Sequence, residues 1–222
     1  MMLDVNGIPV IGIELKNQFT GQSIDDGMVQ WQKRDVREAC FNFNSRMVAY
    51  FAVDLYDVMM ATRLQGGDTR FLPFNQGSNG AGEDGGAGNP PSGDDGYPTE
   101  HLWKVALQKD SLLDILNKFL HLEVKEEVEI GFNPDSTYTM KAVDVVKKRI
   151  IFPRYHQLDV VRKIVADVRA HGTGKNYLVQ HSAGSGKSNS IAWVAYRFAS
   201  LFDEHDQRVF DSVIVVTDRR VL

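Results

Sequence analysis

Between Gly66 and Pro98 the chain carries about half of its 19 glycines, interleaved with Asn, Asp and Pro. Glycine costs roughly 1 kcal/mol and proline roughly 3 kcal/mol in a helix interior. No helix or strand persists far under that composition, so the stretch reads as one long loop, by composition alone a flexible linker. It splits 222 residues into two zones that have to fold around it. In the first, Asn6-Gly7 is a two-residue hairpin signal between Met1-Val5 and Ile8-Leu15, and Met47-Met60 is apolar, so this zone begins as a sheet. After the loop, Glu100-His121 has leucines at helical spacing, with Asp110 as a cap and a break near Lys109-Ser111.

The second zone opens near Val143 with a basic run, Lys147-Arg149, which reads as a linker and a solvated surface. From His156, Leu158, Val161, Ile164, Val165 and Val168 mark an amphipathic helix. Asn176-Gln180 reads as a short buried strand, Gly184-Ser188 as a turn, Ser190-Leu201 as a helix, and Ser212-Thr217 as a strand buried on both faces. Strand, glycine turn, helix and strand predict a βαβ unit in a parallel sheet.

With 43% hydrophobic and 24% charged residues the chain is globular rather than disordered. No apolar run reaches the roughly 18-20 residues of a membrane span, and Met1-Lys16 lacks the pattern of a signal peptide. One cysteine, Cys40, excludes an internal disulfide, and six scattered histidines show no ligand spacing. A reduced cytoplasmic compartment is expected. A net charge of -4 makes no global case for nucleic acid, which leaves only local patches.

His181-Ser182-Ala183-Gly184-Ser185-Gly186-Lys187-Ser188 fits the Gly-x-Gly-Lys-Ser core of a phosphate-binding loop, with His181 where the first glycine normally stands. Ala183 to Gly186 would turn backbone N–H groups onto phosphate oxygens, with the dipole of the following helix behind them. Lys187 would reach the β- and γ-phosphates, and the Ser188 hydroxyl would ligate Mg2+. A glycine-serine surface turn with a chance lysine is the plainer reading; the flanking strand and helix argue against it. Near the amino end, Glu14 and Lys16 share one strand face. Metal-dependent phosphodiester cleavage needs carboxylates for Mg2+ and a lysine for charge, but the triplet taken alone is better explained as a solvated ion pair on a strand face. If Asn6-Gly7 closes a tight hairpin, Glu14 faces a position just before Met1. Asp4 then lies on the order of 16 Å away at roughly 3.3 Å per residue, a poor second ligand.

Several segments, in one order, resemble the restriction (R, HsdR) subunit of type I restriction-modification enzymes. They are Val5-Pro9 leading to Ile13-Asn17, Asp68-Asn75, Gly88-Pro90, Leu107-Leu113, Arg154-Gln157, the phosphate loop and Val215-Arg219. The resemblance implies that Glu14 and Lys16 are the Glu-x-Lys of a Mg2+-dependent nuclease. It implies that Gln30 is that motif's glutamine, with Arg34 near the place of its tyrosine. Gln157 would read the adenine edge of ATP, and Asp218 and Arg219 would line the DNA path. The family's nuclease Asp is expected before Met1, and its Asp-Glu-x-His box and second motor lobe beyond Leu222, so the chain resembles an interior fragment. The glycine-rich loop becomes an excursion within the nuclease domain, with Arg70 and Phe71-Pro73 ordered and Gly77-Asp95 mobile.

The expected fold is α/β: an incomplete restriction-endonuclease-like domain (1-130), a linker (131-153) and the first part of a RecA-like parallel-sheet P-loop lobe (154-222). The resemblance implies ATP-driven translocation on double-stranded DNA coupled to Mg2+-dependent cleavage, with modification and specificity subunits as partners and no membrane. A catalytically silent remnant that binds nucleotide or partners is a second possibility. An unrelated P-loop ATPase or kinase is a third.

Overall fold

In the computed structural model, which describes residues 1–93, 96–132 and 140–217, Asn6 and Gly7 both take positive φ, 51° and 78°. Two such residues close a tight hairpin, here between β1 (Met2–Val5) and β2 (Ile8–Leu15). The expected ladder holds for Val5 with Ile8 and Asp4 with Pro9, and then slips by one residue at a bulge between Leu3 and Asp4. Leu3 therefore pairs with Ile11 and Met2 with Gly12, and Met1 exchanges backbone hydrogen bonds of 2.8 and 2.9 Å with Ile13.

From β2 the chain crosses through α1 (Ile24–Gln32) to β3 (Ala49–Val53), which pairs parallel to β2, with Glu14 opposite Ala52. β4 (Val58–Ala61) and β5 (Leu72–Pro73) continue antiparallel, giving a five-stranded mixed sheet in the order β1-β2-β3-β4-β5. Every residue of β3 is buried, as a central strand covered on both faces requires. Two glycines let α1 settle on the sheet. A Cβ on Gly12 would stand 2.7 Å from the Trp31 ring, and one on Gly27 would stand 3.1 Å from the Ala52 Cβ. Trp31 in turn donates its indole N–H to the Phe51 carbonyl at 2.9 Å.

The glycine-rich stretch runs without regular structure after β5, but it is laced rather than loose. Asn75 accepts from Val58 N–H and donates to Asp57 and Ala87, while Asn89 accepts from Gln76 N–H and donates to the Tyr56 carbonyl. Within the expected mobile part, Gly77 and Ser78 pair with Gly88 and Gly86, and Lys163 donates to Ala81. A turn of π-helix (Leu102–Ala106) leads into α2 (Lys109–Lys118). The break between the two helical segments falls at Leu107–Gln108. Gln108, with extended ψ, takes the cap position, so Asp110 sits in the first turn instead of capping.

Residues 131–153, expected as a linker, hold all of β7 (Met140–Ile151), which pairs along its length with β6 (His121–Phe132) in a separate antiparallel hairpin. The basic run of β7 is balanced in place: Arg149 meets Glu123 at 2.9 Å and Lys147 meets Glu127 at 2.7 Å. Beyond it come α3 (Tyr155–His171) and α4 (Lys187–Ala199), which pack on each other.

The expected parallel-sheet lobe is not formed among the described residues. Asn176–Gln180 and 212–217 are both without strand structure, and Leu178, Ile214 and Val216 are 94%, 85% and 88% exposed. A parallel strand needs a hydrogen-bonded neighbour, and the two segments do not pair with each other or with any described strand. α3 and α4 pack instead against the first zone. One apolar cluster runs from Val10 and Ile13 through Phe51, Phe74 and Ile115 to Val161, Trp193 and Leu201, across the expected domain boundary. Phe51 makes edge contacts with Phe74 and Phe152 (ring centroids 5.2 and 6.0 Å), and Phe74 does so with Tyr155 at 5.8 Å. Asp114 of α2 is gripped by Arg162 of α3 at 3.1 Å and by Arg197 of α4 at 2.7 Å. Burial opposes the charge on Asp114, but the two guanidiniums prevail and hold its carboxyl below the ordinary range. No helix among the described residues is long and apolar enough to cross a membrane.

Because Phe51 is fully buried where sheet and α3 meet, Phe51→Ala is expected to cost about 3–5 kcal/mol. A urea midpoint read by both tryptophan fluorescence and far-UV circular dichroism measures it. The two probes should fall together, since one core holds both zones.

Candidate active site and phosphate loop

The end of β2 carries the first site. The backbone N–H of Lys16 bonds the Val53 carbonyl at 2.8 Å, which extends the parallel ladder one step past the strand and fixes where the side chain leaves. Glu14 and Lys16 do share a face, and their side chains are only 16% and 6% exposed. The Lys16 ammonium lies 3.3 Å from Glu14 Oε1 and 2.6 Å from Gln30 Oε1 on α1. Strand and helix thus bring together the three residues expected at this site. The close seat of Gly27 matters here too, since a Cβ on it would stand 3.4 Å from Lys16 Cγ.

Arg34, just past α1, adds a second cation 3.9 Å from Glu14 Oε2, with its guanidinium 5.7 Å from the Trp31 and Phe41 ring centres. The sequence reading noted Arg34 only as standing in the place of a tyrosine. The signal for its role was its spacing, one turn on from Gln30.

Asp54, at the end of β3, lies close in sequence to this corner of the sheet but is spent on structure. It accepts from the N–H groups of Ile24, Tyr56 and Asp57 and from the Gln18 amide, which ties the start of α1 to the β3–β4 turn. Asp4, opposite Pro9, is five positions from Glu14 along the hairpin and exposed, as the pairing count required. No group of three or more His, Cys, Asp or Glu placed to hold a metal exists among the described residues. Glu14 offers one carboxylate, and a hard divalent cation takes six or more oxygen ligands, waters included. The described residues do not by themselves compose a Mg2+ site.

The second site is the loop ahead of α4. Gly184 and Gly186 take φ of 72° and 82°, in the left-handed region glycine adopts freely; the Ser185 N–H between them bonds the Ser182 carbonyl at 3.3 Å, and Gly186 caps the helix. The Lys187 ammonium folds back onto the loop and donates to the His181 and Ser182 carbonyls at 3.0 Å each. Ala183, Gly184 and Ser188 are exposed, whereas Ser185 is buried.

Gln157, at the head of α3, is 3% exposed and fastens this loop. Its amide donates to the Ser185 and Gly186 carbonyls at 3.2 and 2.9 Å, and its oxygen accepts from Arg154 N–H at 2.9 Å. Both ends of the side chain are thus engaged within the chain, on the loop rather than reaching toward an adenine. His156 lies 3.1 Å from the Ser185 carbonyl and edge-on to His181, with ring centroids 4.8 Å apart. Burial, and then the charges of Arg154 and His181, push His156 down to about 4 against the pull of the Ser185 carbonyl. Burial and Lys187 lower His181 as well. His156 is therefore neutral at pH 7 and donates to the Ser185 carbonyl. The sequence reading assigned His181 a structural place and did not single out Arg154 or His156, although they stand in the same Arg154-Gln157 run. Asp218 and Arg219 lie outside the described residues.

No family model matches the chain, and no solved structure matches it. Over 99% of its length the chain is 25% identical to a protein of Methanocaldococcus jannaschii described as "Putative type I restriction enzyme MjaVIIIP endonuclease subunit". That relative is described as a restriction-enzyme subunit. The chain spans 18% of that relative's length, so it matches one stretch of a much larger subunit.

The depressed His156 sets a pH dependence. As pH falls from 6.5 toward 4, the unfolded chain takes up a proton that the folded chain refuses, so stability is full above pH 7 and declines through that window. Partial exposure reduces the loss to on the order of 1–2 kcal/mol. Urea midpoints at a series of pH values should show this slope, and His156→Gln should flatten it.

Proposed function

We propose that the chain supplies part of the DNA-cleaving centre of a type I restriction endonuclease subunit, with Glu14, Lys16 and Gln30 as its catalytic group. The observation that carries this reading is the nearly buried Lys16 ammonium held between Glu14 and Gln30. An ammonium has three N–H donors. Two are used on Glu14 and Gln30, and these aim the third at an incoming phosphodiester oxygen, where it offsets the negative charge that grows as the bond breaks. Gln30 keeps the side chain from swinging away. Glu14 keeps one oxygen for a divalent cation whose remaining ligands come from outside the described residues. Mg2+ bound there would supply Lewis-acid activation of water.

The same proposal takes the loop from Ala183 to Ser188 as the ATP site. Gln157 fixes the shape of that loop, and Lys187 and Ser188 serve phosphate and Mg2+. The relative's description as an endonuclease subunit of a type I enzyme supports double-stranded DNA as substrate and modification and specificity subunits as partners. ATP-driven translocation along DNA belongs to the proposal as well, as do the DNA-path roles of Asp218 and Arg219.

The test is Mg2+-dependent cleavage of unmethylated DNA by the assembled enzyme. Glu14→Gln and Lys16→Ala are each expected to lower the rate at least about 10²-fold, and Gln30→Ala by about 10-fold, with DNA binding unchanged. Wild-type cleavage by Lys16→Ala would sink the assignment.

A further inference from the structure

Between the β4–β5 edge of the sheet, the β6–β7 hairpin and the phosphate loop lies a cleft of about 660 Å³, within the range of small-ligand sites. Seven cationic side chains line it against two carboxylates, Glu123 and Glu127. Lys125, Lys147 and Arg149 are paired with those two. The other four, Arg63 and Arg70 from the connection between β4 and β5, Lys148 from β7 and Arg154 at the head of α3, have no acidic partner among the described residues. Arg63 rests over the Phe43 ring at 4.6 Å, an arrangement that leaves its guanidinium edge open to an anion.

The floor of the cleft is short of partners too. Ser185 is 5% exposed, yet its hydroxyl has no hydrogen-bond partner, and neither has the buried Nε of Arg154. Buried polar groups left unsatisfied are uncommon and mark a place where another molecule completes the set. Both belong to residues that line the same cleft, at the amino end of the 13-residue α4.

We infer that this cleft holds the polyphosphate of a nucleoside triphosphate, with Arg63 and Arg70 of the β4–β5 connection closing on it across from the phosphate loop. The inference rests on the phosphate-loop reading above and adds to it that the connection between two strands of the sheet bearing Glu14 and Lys16 contributes two of the nucleotide's charge partners. Cations here converge from four separate elements on one bounded volume, which suits a compact, densely charged ligand. A polynucleotide calls for cations strung along an open track with stacking platforms. Guanidinium groups also match phosphate oxygens in pairs, so both arginines can grip without a change in the loop.

The experiment titrates the protein with MgATP and, separately, with inorganic triphosphate, by calorimetry. Arg63→Ala and Arg70→Ala are each expected to weaken both ligands about 10-fold, and the double variant about 100-fold, from loss of charge-assisted hydrogen bonds. Both side chains are exposed, so thermal midpoints should stay in place, and Arg70→Lys should recover part of the affinity. Lys187→Ala separates the two levels of the argument. If it weakens binding and the arginine variants do not, the clamp is wrong and the loop assignment stands. If it leaves MgATP binding intact, the loop assignment fails and takes the clamp with it. Arginine variants that lose affinity for a DNA oligonucleotide but bind both phosphate ligands as before would also overturn the inference, in favour of a nucleic-acid groove.

Discussion

The contact of Phe51 with Phe74 and Phe152, extended by Phe74 to Tyr155, is what the rest of the molecule hangs on. Phe51 belongs to the central strand, Phe74 to the chain leaving the sheet, and Phe152 and Tyr155 to the approach to α3 and its first turn. Three separated stretches are therefore held by one set of aromatic edges. Such rings bury large apolar area and add geometric preference to it. On the far side Asp114 binds Arg162 and Arg197, and Trp193 donates its indole N–H to the Phe119 carbonyl at 2.9 Å, so α2, α3 and α4 are joined as well. The head of α3, with Gln157 and His156, is placed by this packing, and Gln157 in turn holds the loop ahead of α4 through the Ser185 and Gly186 carbonyls.

Local chemistry was readable where one residue type decides the matter. Asn6-Gly7 needs two positive φ angles and obtains them. Period two put Glu14 and Lys16 on one face, and the hairpin count removed Asp4 as a neighbour, even though a bulge that no pattern announces shifted the ladder by one. Gln30 entered only through the family resemblance, since a glutamine on a helix says nothing about which strand it faces until the helix is docked. Docking rests on the two small residues Gly12 and Gly27, whose lack of a side chain is silent in a periodicity argument.

Long-range pairing was not readable. An apolar run such as 212–217 describes what a strand would bury, and pairing depends on a neighbour located elsewhere in the chain. The Lys147-Arg149 run read as a linker because charge suggests solvent, yet in a two-stranded hairpin a charged residue can face an opposite charge across the ladder and stay exposed. The glycine-rich stretch shows the same gap: composition excluded any long helix or strand, although the two-residue β5 lies within it, and could not foresee that Asn75 and Asn89 would hold it by side-chain hydrogen bonds.

Lys187 resting on the His181 and Ser182 carbonyls gives the loop a particular thermodynamic character. The ammonium, on an exposed side chain, already rests against two carbonyl oxygens. On the proposed reading of the loop, a phosphate would replace one set of oxygen contacts with another, and the side chain would lose little additional freedom. Affinity there is a small difference between two similar solvations of the same charge, so one added or missing oxygen contact near His181 or Ser182 shifts the balance as much as a change in the ligand itself.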